Sequence, residues 1–190
     1  MVATLMQIPR SVRSASAQRL SRATMPLSSL LRQLASVVSK LSDAQYTQKP
    51  VGVVPSSVGG HVRHCLEHVR ALLIAVETGS LDYDTRHRDT PVENSRCCAV
   101  SEIDELIAHL ENLPADAIDR TLGLSVILAA DGEPIPVQTT VGRELAFVLS
   151  HTVHHNALVG AMVTTLGGWL PERFGYAPAT LKHMDKSCAR

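Results

Sequence analysis

Residues 147–166, FVLSHTVHHNALVGAMVTTL, decide the fold, because they combine a long apolar pattern with three histidines. Apolar residues recur there at three- and four-residue spacing, which predicts an amphipathic helix. On that helix His151 and His155 lie about 40° apart on successive turns and face the apolar side, whereas His154 points about 100° away. A buried histidine needs a hydrogen bond, an ion pair or a metal. The pair is therefore either two satisfied core histidines or part of a metal site.

A second histidine-rich stretch covers residues 56–76, SSVGGHVRHCLEHVRALLIAV. Its spacing predicts a helix from about residue 57 to residue 78 that ends at Gly79. One flank of this helix carries three histidines: His61, His64 and His68. Two helices that both present histidines favour a three-histidine metal site over isolated core histidines. Three protein ligands with an open fourth position are typical of catalytic zinc sites.

Composition limits the class of protein. The chain has 190 residues, of which 45% are apolar and only 3% aromatic, so we expect one domain with an aliphatic, helical core. Its 18 basic and 18 acidic residues balance, and no basic stripe with interleaved aromatics is present, which argues against a nucleic-acid partner. No apolar run approaches the roughly 20 residues of a membrane span. We therefore expect neither a nucleic-acid nor a membrane partner.

The four cysteines favour a reducing compartment. They show no CxxC spacing, and the adjacent pair Cys97 and Cys98 is poorly suited to a disulfide. Cys65 lies on an apolar stripe and is expected in the core. Cys97 or Cys98 could instead be a reactive thiol in a loop. Without a secretory signal, a cytoplasmic location is expected.

The first 24 residues are rich in Arg and Ser, and no acidic residue precedes Asp43. Such composition is typical of a disordered or targeting-like tail, and a transit peptide would send the protein to an organelle. We expect this tail to lie outside the fold, so its removal should change neither the fold nor the metal content. The sequence leaves open whether Met1 or Met25 is the true start.

The remaining pattern adds two long helices and a hairpin. Residues 27–41 form an amphipathic first helix, and residues 101–113 form a third helix that begins with Ser101 as its N-cap. A polar crossover precedes the third helix. Alternation around Asp131 and Gly132 predicts a small β-hairpin before the last long helix. Residues 169–190 are expected to form a tail with a short helix after Pro178.

These features resemble the DinB/YfiT-like superfamily over residues 26–168. The resemblance rests on Ser57, Val58 and Gly59 followed by His64, on the long crossover, and on the final pair His151 and His155. It implies an all-α fold, a four-helix bundle with a long crossover between the second and third helices, in a domain of residues 25–168. It also implies three ligands for a divalent metal (zinc, nickel or iron): His64, His151 and His155. The family often continues its last motif as H-R-G-Q, and this chain has Asn, Ala and Leu there.

Other residues are candidates for supporting roles around that site. Three histidines are expected to line the pocket or to hold the ligands in place: His61, His68 and His154. Glu144 lies two turns before His151 and could orient a ligand or act as a catalytic acid or base. Alternatively, Glu144 is only a favourable charge at a helix N-terminus.

The resemblance implies a divalent-metal-dependent enzyme that acts on a small-molecule substrate. Members of the wider superfamily use low-molecular-weight thiols, including mycothiol and bacillithiol, so we expect a thiol-dependent transferase in detoxification or stress response. Two alternatives stay open: a non-catalytic helical binding module, and a metal-dependent hydrolase that shares the site. A second copy of the chain is a further expected partner.

Overall fold

The computed structural model describes residues 10–85 and 90–188 and shows a mostly helical protein with one small sheet. Within these residues the elements are α1 (Arg10–Lys40), α2 (Asp43–Thr47), α3 (Val58–Thr78), β1 (Ser80–Asp82), α4 (Pro91–Asn94), α5 (Arg96–Glu111), β2 (Thr121–Val126), β3 (Ile135–Thr140), α6 (Val141–Thr165) and α7 (Pro178–Cys188). The predicted dominance of helices is confirmed, and the short helix after Pro178 is present as α7.

The core lies among the four long helices. α1 packs against α5 and α6, and α3 packs against the same two helices. Aliphatic side chains at three- and four-residue spacing supply the buried surface, among them Leu27, Leu31, Leu34, Leu66, Val69, Leu72, Ile103, Leu110, Leu145 and Val148. Removal of this apolar surface from water is the main term that favours folding. No helix of the described residues combines the length and apolarity that a bilayer span requires.

Local signals set the ends of α3. The Ser57 hydroxyl accepts a hydrogen bond from the Gly60 amide at 3.0 Å, and Gly79 ends the helix with φ of 78°. Side chains larger than hydrogen do not fit at Gly59, because a Cβ there would collide with the Glu93 main-chain oxygen and the Tyr46 ring. The predicted bounds of this histidine-bearing helix are therefore confirmed.

The first helix is longer than the sequence predicts. α1 starts at Arg10 and continues through Pro26, and Leu20 and Thr24 are buried. Leu20 lies seven residues before Leu27 and so extends the same apolar stripe by two turns. The prediction of a tail over residues 1–24 is therefore corrected for residues 10–24, while residues 1–9 lie outside the described part.

The start of α5 also differs from the prediction. Its N-cap is Ser95, whose hydroxyl accepts a hydrogen bond from the Cys98 amide at 3.3 Å, and not Ser101. The helix therefore begins at Arg96, and Cys97 and Cys98 are exposed residues of its first turn rather than part of a loop.

The sheet contains the predicted hairpin and a third strand. β2 and β3 pair antiparallel from Thr121 opposite Thr140 to Val126 opposite Ile135, so the loop between them is longer than a tight turn at Gly132. β1 pairs parallel with β2. Leu81 of β1 is buried. The crossover continues from this strand, and its residue Tyr83 contacts His68 of α3.

Candidate metal centre

Contact between α3 and α6 brings five histidines together, which we call the histidine cluster: His61, His64, His68, His151 and His155. Ring centroids lie 3.9 Å apart for His68 and His151, 4.4 Å for His151 and His155, and 4.7 Å for His64 and His155. His68 and His155 are buried and the other three are half-buried. The cluster therefore places several imidazole nitrogens, which can act as metal ligands, in a site that is partly shielded from water.

Three members of the cluster form a group that could hold a metal ion. Among the described residues, His64, His68 and His151 each offer one ligand atom, and these atoms lie within 4.8 Å of one another. Two imidazole ligands of one tetrahedral zinc ion lie about 3.4 Å apart, so small side-chain rotations would complete the group. Imidazole nitrogen suits zinc, nickel and iron. The donor set thus fits the predicted divalent metal.

His68 is oriented by two contacts. Its Nδ1 donates a hydrogen bond to the His64 main-chain oxygen at 2.9 Å, since a carbonyl oxygen can only accept. The proton on Nδ1 leaves the Nε2 lone pair of this ring available to a metal. The Tyr83 ring stacks on the His68 ring, with centroids 5.0 Å apart and an angle of 12° between planes. His68 therefore joins the group, although the sequence suggested only a supporting role for it.

His155 lies beside that group and is paired with His61. The two Nδ1 atoms are 3.1 Å apart. Burial, and then the neighbouring rings of His151 and His64, lower the pKa of His155 to about 3. His154 is exposed, as its position on the helix predicts. Two of the three predicted ligands, His64 and His151, thus belong to the converging group, and His155 adjoins both by ring contact.

Glu144 is fully buried and binds Tyr83, the residue that stacks on His68. Its carboxylate accepts hydrogen bonds from the Tyr83 hydroxyl at 3.0 Å, from Thr139 at 2.7 Å and from Arg143 at 2.9 Å. Burial, and then the charge of Glu144, raise the pKa of Tyr83. Because Tyr83 stacks on His68, Glu144 acts on the site through this ring. The sequence pattern did not single out Tyr83, which lies just after the short strand β1.

A separate cavity of about 590 Å³ lies on another flank of α3, toward α4 and α5, and none of the cluster histidines lines it. Four of its charged side chains form ion pairs with one another: Arg63 with Glu67, and Arg70 with Glu102. Cys98 contributes a thiol to its lining. The histidine cluster, and not this cavity, contains the converging nitrogen atoms.

Cys65 is a core residue, as predicted. It is 1% exposed, and its thiol donates a hydrogen bond to the Thr152 hydroxyl at 3.5 Å. Burial raises the pKa of this thiol to about 11. Because the thiolate is the reactive form, Cys65 is unsuited to be a nucleophile at neutral pH.

The metal-free protein is expected to lose stability as the pH falls below about 6.5. Folding lowers the pKa of His155 from 6.5 to about 3 and also lowers that of His61. Between these values the unfolded chain binds protons that the folded protein does not, so the free energy of unfolding decreases as the pH falls, by up to about 1.4 kcal/mol per pH unit for each proton.

Urea unfolding of chelator-treated protein at pH values of about 7.5, 6 and 5 measures this slope. In the variant His155→Phe the free energy of unfolding should depend less on pH, because one of the titrating groups is then missing. An unchanged slope in that variant would show that other groups cause the pH dependence.

Comparison with known proteins agrees with this fold. A family model described as the DinB superfamily matches residues 27–159, which is more than half of the chain. The crystal structure of a DinB-like protein, YjoA from Bacillus subtilis, superimposes with a TM-score of 0.58 at 19% sequence identity, covering 79% of this chain and 96% of that one. At this identity the match supports the fold alone.

One curated relative is not named as a DinB protein. It is the FK506-binding protein 5 of Rhizopus delemar, which is 36% identical over 107 residues. The aligned part is 56% of this chain but only 28% of the relative, so most of that protein has no counterpart here. On the extent of the family match, the chain belongs to the DinB superfamily.

Proposed function

We propose that the protein is a divalent-metal-dependent enzyme whose ion is held by imidazole nitrogens. The observation that carries this proposal is the convergence of His64, His68 and His151 from two helices. His64 and His151 are common to that group and to the ligand set that the family resemblance implies, in which His155 supplies the third nitrogen. Either set consists only of neutral donors and leaves the charge of a divalent ion uncompensated.

The proposed reaction is transfer of a low-molecular-weight thiol to an electrophilic small molecule. When bound, the ion supplies positive charge that eases loss of a proton from a thiol or a water molecule beside it. The thiol sulfur would form a bond to carbon, its proton would pass to solvent, and the leaving group would depart with its bonding electrons. Such chemistry is suited to detoxification or stress response.

Residues around the cluster would bind and orient the reactants. Phe147 and Tyr83 are 5.2 Å apart between ring centroids, and Phe147 also stacks on His151 at 5.8 Å. This aromatic wall would exclude water from one side of the site. Glu144 is proposed to position Tyr83 and not to exchange protons with substrate, because both its oxygens already accept hydrogen bonds.

We also propose the architecture and setting of the active protein. The packing of the four long helices on one another supports a four-helix bundle of the DinB type. Free Cys65, Cys97 and Cys98 support a reducing, cytoplasmic location. A second copy of the chain is proposed as a partner, and sedimentation of the purified protein tests this.

Elemental analysis followed by a thiol screen tests the function. The purified protein is expected to contain zinc, nickel or iron, and to consume a generic electrophile only when both a low-molecular-weight thiol and the metal are present. Removal of the metal with a chelator should abolish the activity, and its return should restore it.

The same screen decides among the alternatives. Cleavage of ester or amide substrates without any thiol would instead indicate a metal-dependent hydrolase. Protein that contains no metal and binds none would contradict the enzyme and indicate a helical binding module.

A further inference from the structure

One hydrogen bond joins His61 and His155, and its direction decides whether His155 can bind a metal. Their Nδ1 atoms lie 3.1 Å apart, a hydrogen-bond distance that requires one nitrogen to donate and the other to accept. If His61 donates, the proton of neutral His155 lies on its Nε2, and neither nitrogen of that ring is left for an ion. If His155 donates from Nδ1, its Nε2 keeps a free lone pair.

We propose that His61 is a positioning residue for metal binding: it accepts the Nδ1 proton of His155 and so leaves the His155 Nε2 free to bind the ion together with His64 and His151. This inference rests on the proposed metal site and adds a role for a residue outside the three-atom group. The His155 ring is well placed for it, with its centroid 4.4 Å from that of His151 and 4.7 Å from that of His64.

One nitrogen of His61 carries a cost to stability, which points to a functional role for this side chain. Its Nε2 is buried and has no hydrogen-bond partner among the described residues. A buried polar group without a partner costs about 1–3 kcal/mol. Unsatisfied groups of this kind are rare and call for an explanation, of which a functional role is one. An aromatic ring without nitrogen would fill the same space without that cost, but it would lose the hydrogen bond to His155.

His68 provides a built-in comparison for this arrangement. It too donates from Nδ1, but to the His64 main-chain oxygen, an acceptor that cannot donate and therefore sets the neutral tautomer of His68. His155 instead relies on a partner that can donate or accept. Replacement of His61 should therefore affect His155 and leave the orientation of His68 unchanged.

Two substitutions of His61 separate hydrogen bonding from shape. His61→Phe keeps the ring and removes the acceptor, so we expect affinity for Co²⁺ and Zn²⁺ to fall about 10- to 100-fold, the usual effect of losing the hydrogen-bond partner of a ligand. His61→Asn places an amide oxygen near the position of Nδ1 and should keep the affinity within about threefold of the unsubstituted protein. His154→Phe is the matched control, because the His154 ring contacts His155 at 5.1 Å without a hydrogen bond.

Affinity is measured by competition with a chromophoric chelator, and unfolding of each metal-free variant shows that it is folded. Metal-free His61→Phe should stay folded with a similar unfolding temperature, because it relieves the unpartnered His61 Nε2 but leaves the His155 Nδ1 without its partner, two effects of opposite sign. Long-range ¹H–¹⁵N spectra of the zinc-loaded protein should show His155 protonated at Nδ1.

The proposal is overturned if His61→Phe binds metal as tightly as the unsubstituted protein, or if zinc-loaded His155 is protonated at Nε2. It is also overturned if His61→Asn is as weak as His61→Phe and its Co²⁺ absorption spectrum changes, because His61 would then itself be a ligand. Failure of the unsubstituted protein to bind any ion would instead contradict the proposed function, so the two failures are distinct.

Discussion

Replacement of His64 or His151 by alanine is expected to remove the bound divalent ion, from about one per chain to nearly none. Both residues belong to the group whose ligand atoms lie within 4.8 Å, and both also belong to the set that includes His155. Loss of a ligand removes a bond to the ion itself, so the affinity should fall by more than the roughly 100-fold that loss of a supporting hydrogen bond can cause. Elemental analysis after dialysis gives the stoichiometry.

Matched controls come from histidines outside the cluster. His109 on α5 and His183 on α7 are exposed, and alanine at either position should leave the metal content unchanged. The variants His68→Ala and His155→Ala then show which ring supplies the third nitrogen. Full metal retention in His64→Ala or His151→Ala would refute the site.

Replacement of Glu144 by alanine is expected to lower the free energy of unfolding by about 2–4 kcal/mol, because it leaves buried donors without an acceptor. Tyr83 and Thr139 both donate to this carboxylate, which has no exposed surface. Tyr83→Phe removes only one of these hydrogen bonds and should cost about 1 kcal/mol. Urea unfolding at neutral pH measures both changes.

Glu172→Ala serves as the control, since the Glu172 side chain is 91% exposed and its loss should change stability by less than about 0.5 kcal/mol. The metal content of Glu144→Ala should stay near that of the unsubstituted protein, because the hydrogen bonds of Glu144 run to Tyr83, Thr139 and Arg143, and it is Tyr83 that stacks on His68. Unchanged stability would contradict the structural role of Glu144, and loss of the metal would show that it acts on the ligands directly.

Local signals made much of the helical fold predictable. Ser57 caps α3 and Gly79 ends it at the predicted positions, because capping depends on residues within one turn. Periodicity likewise placed His155 on the buried side of α6 and His154 on the exposed side. The alternation of residues around Gly132 indicated the β2–β3 hairpin, although it did not predict the length of the connecting loop.

Signals that depend on distant residues were missed. The start of α1 is not predictable from local composition, because Arg and Ser surround Leu20, whose burial is set by the helices packed around it. β1 has three residues and owes its existence to parallel pairing with β2, about 40 residues further along the chain. Tyr83 follows that strand, so its position over His68 could not be predicted either.

The sequence by itself determined that the chain is mostly helical, that two of its helices carry histidines, and that it has the motifs of the DinB superfamily. All three depend on residue type and on spacing within a few turns. Only the tertiary structure decided that His68 converges with His64 and His151, that His61 faces His155, and that Glu144 is tied to Tyr83. Apart from His64 and His68, which are neighbours on α3, these contacts join residues 61 to 94 positions apart in the chain. Their distances are set by how α3, α6 and the crossover pack, which no local pattern records.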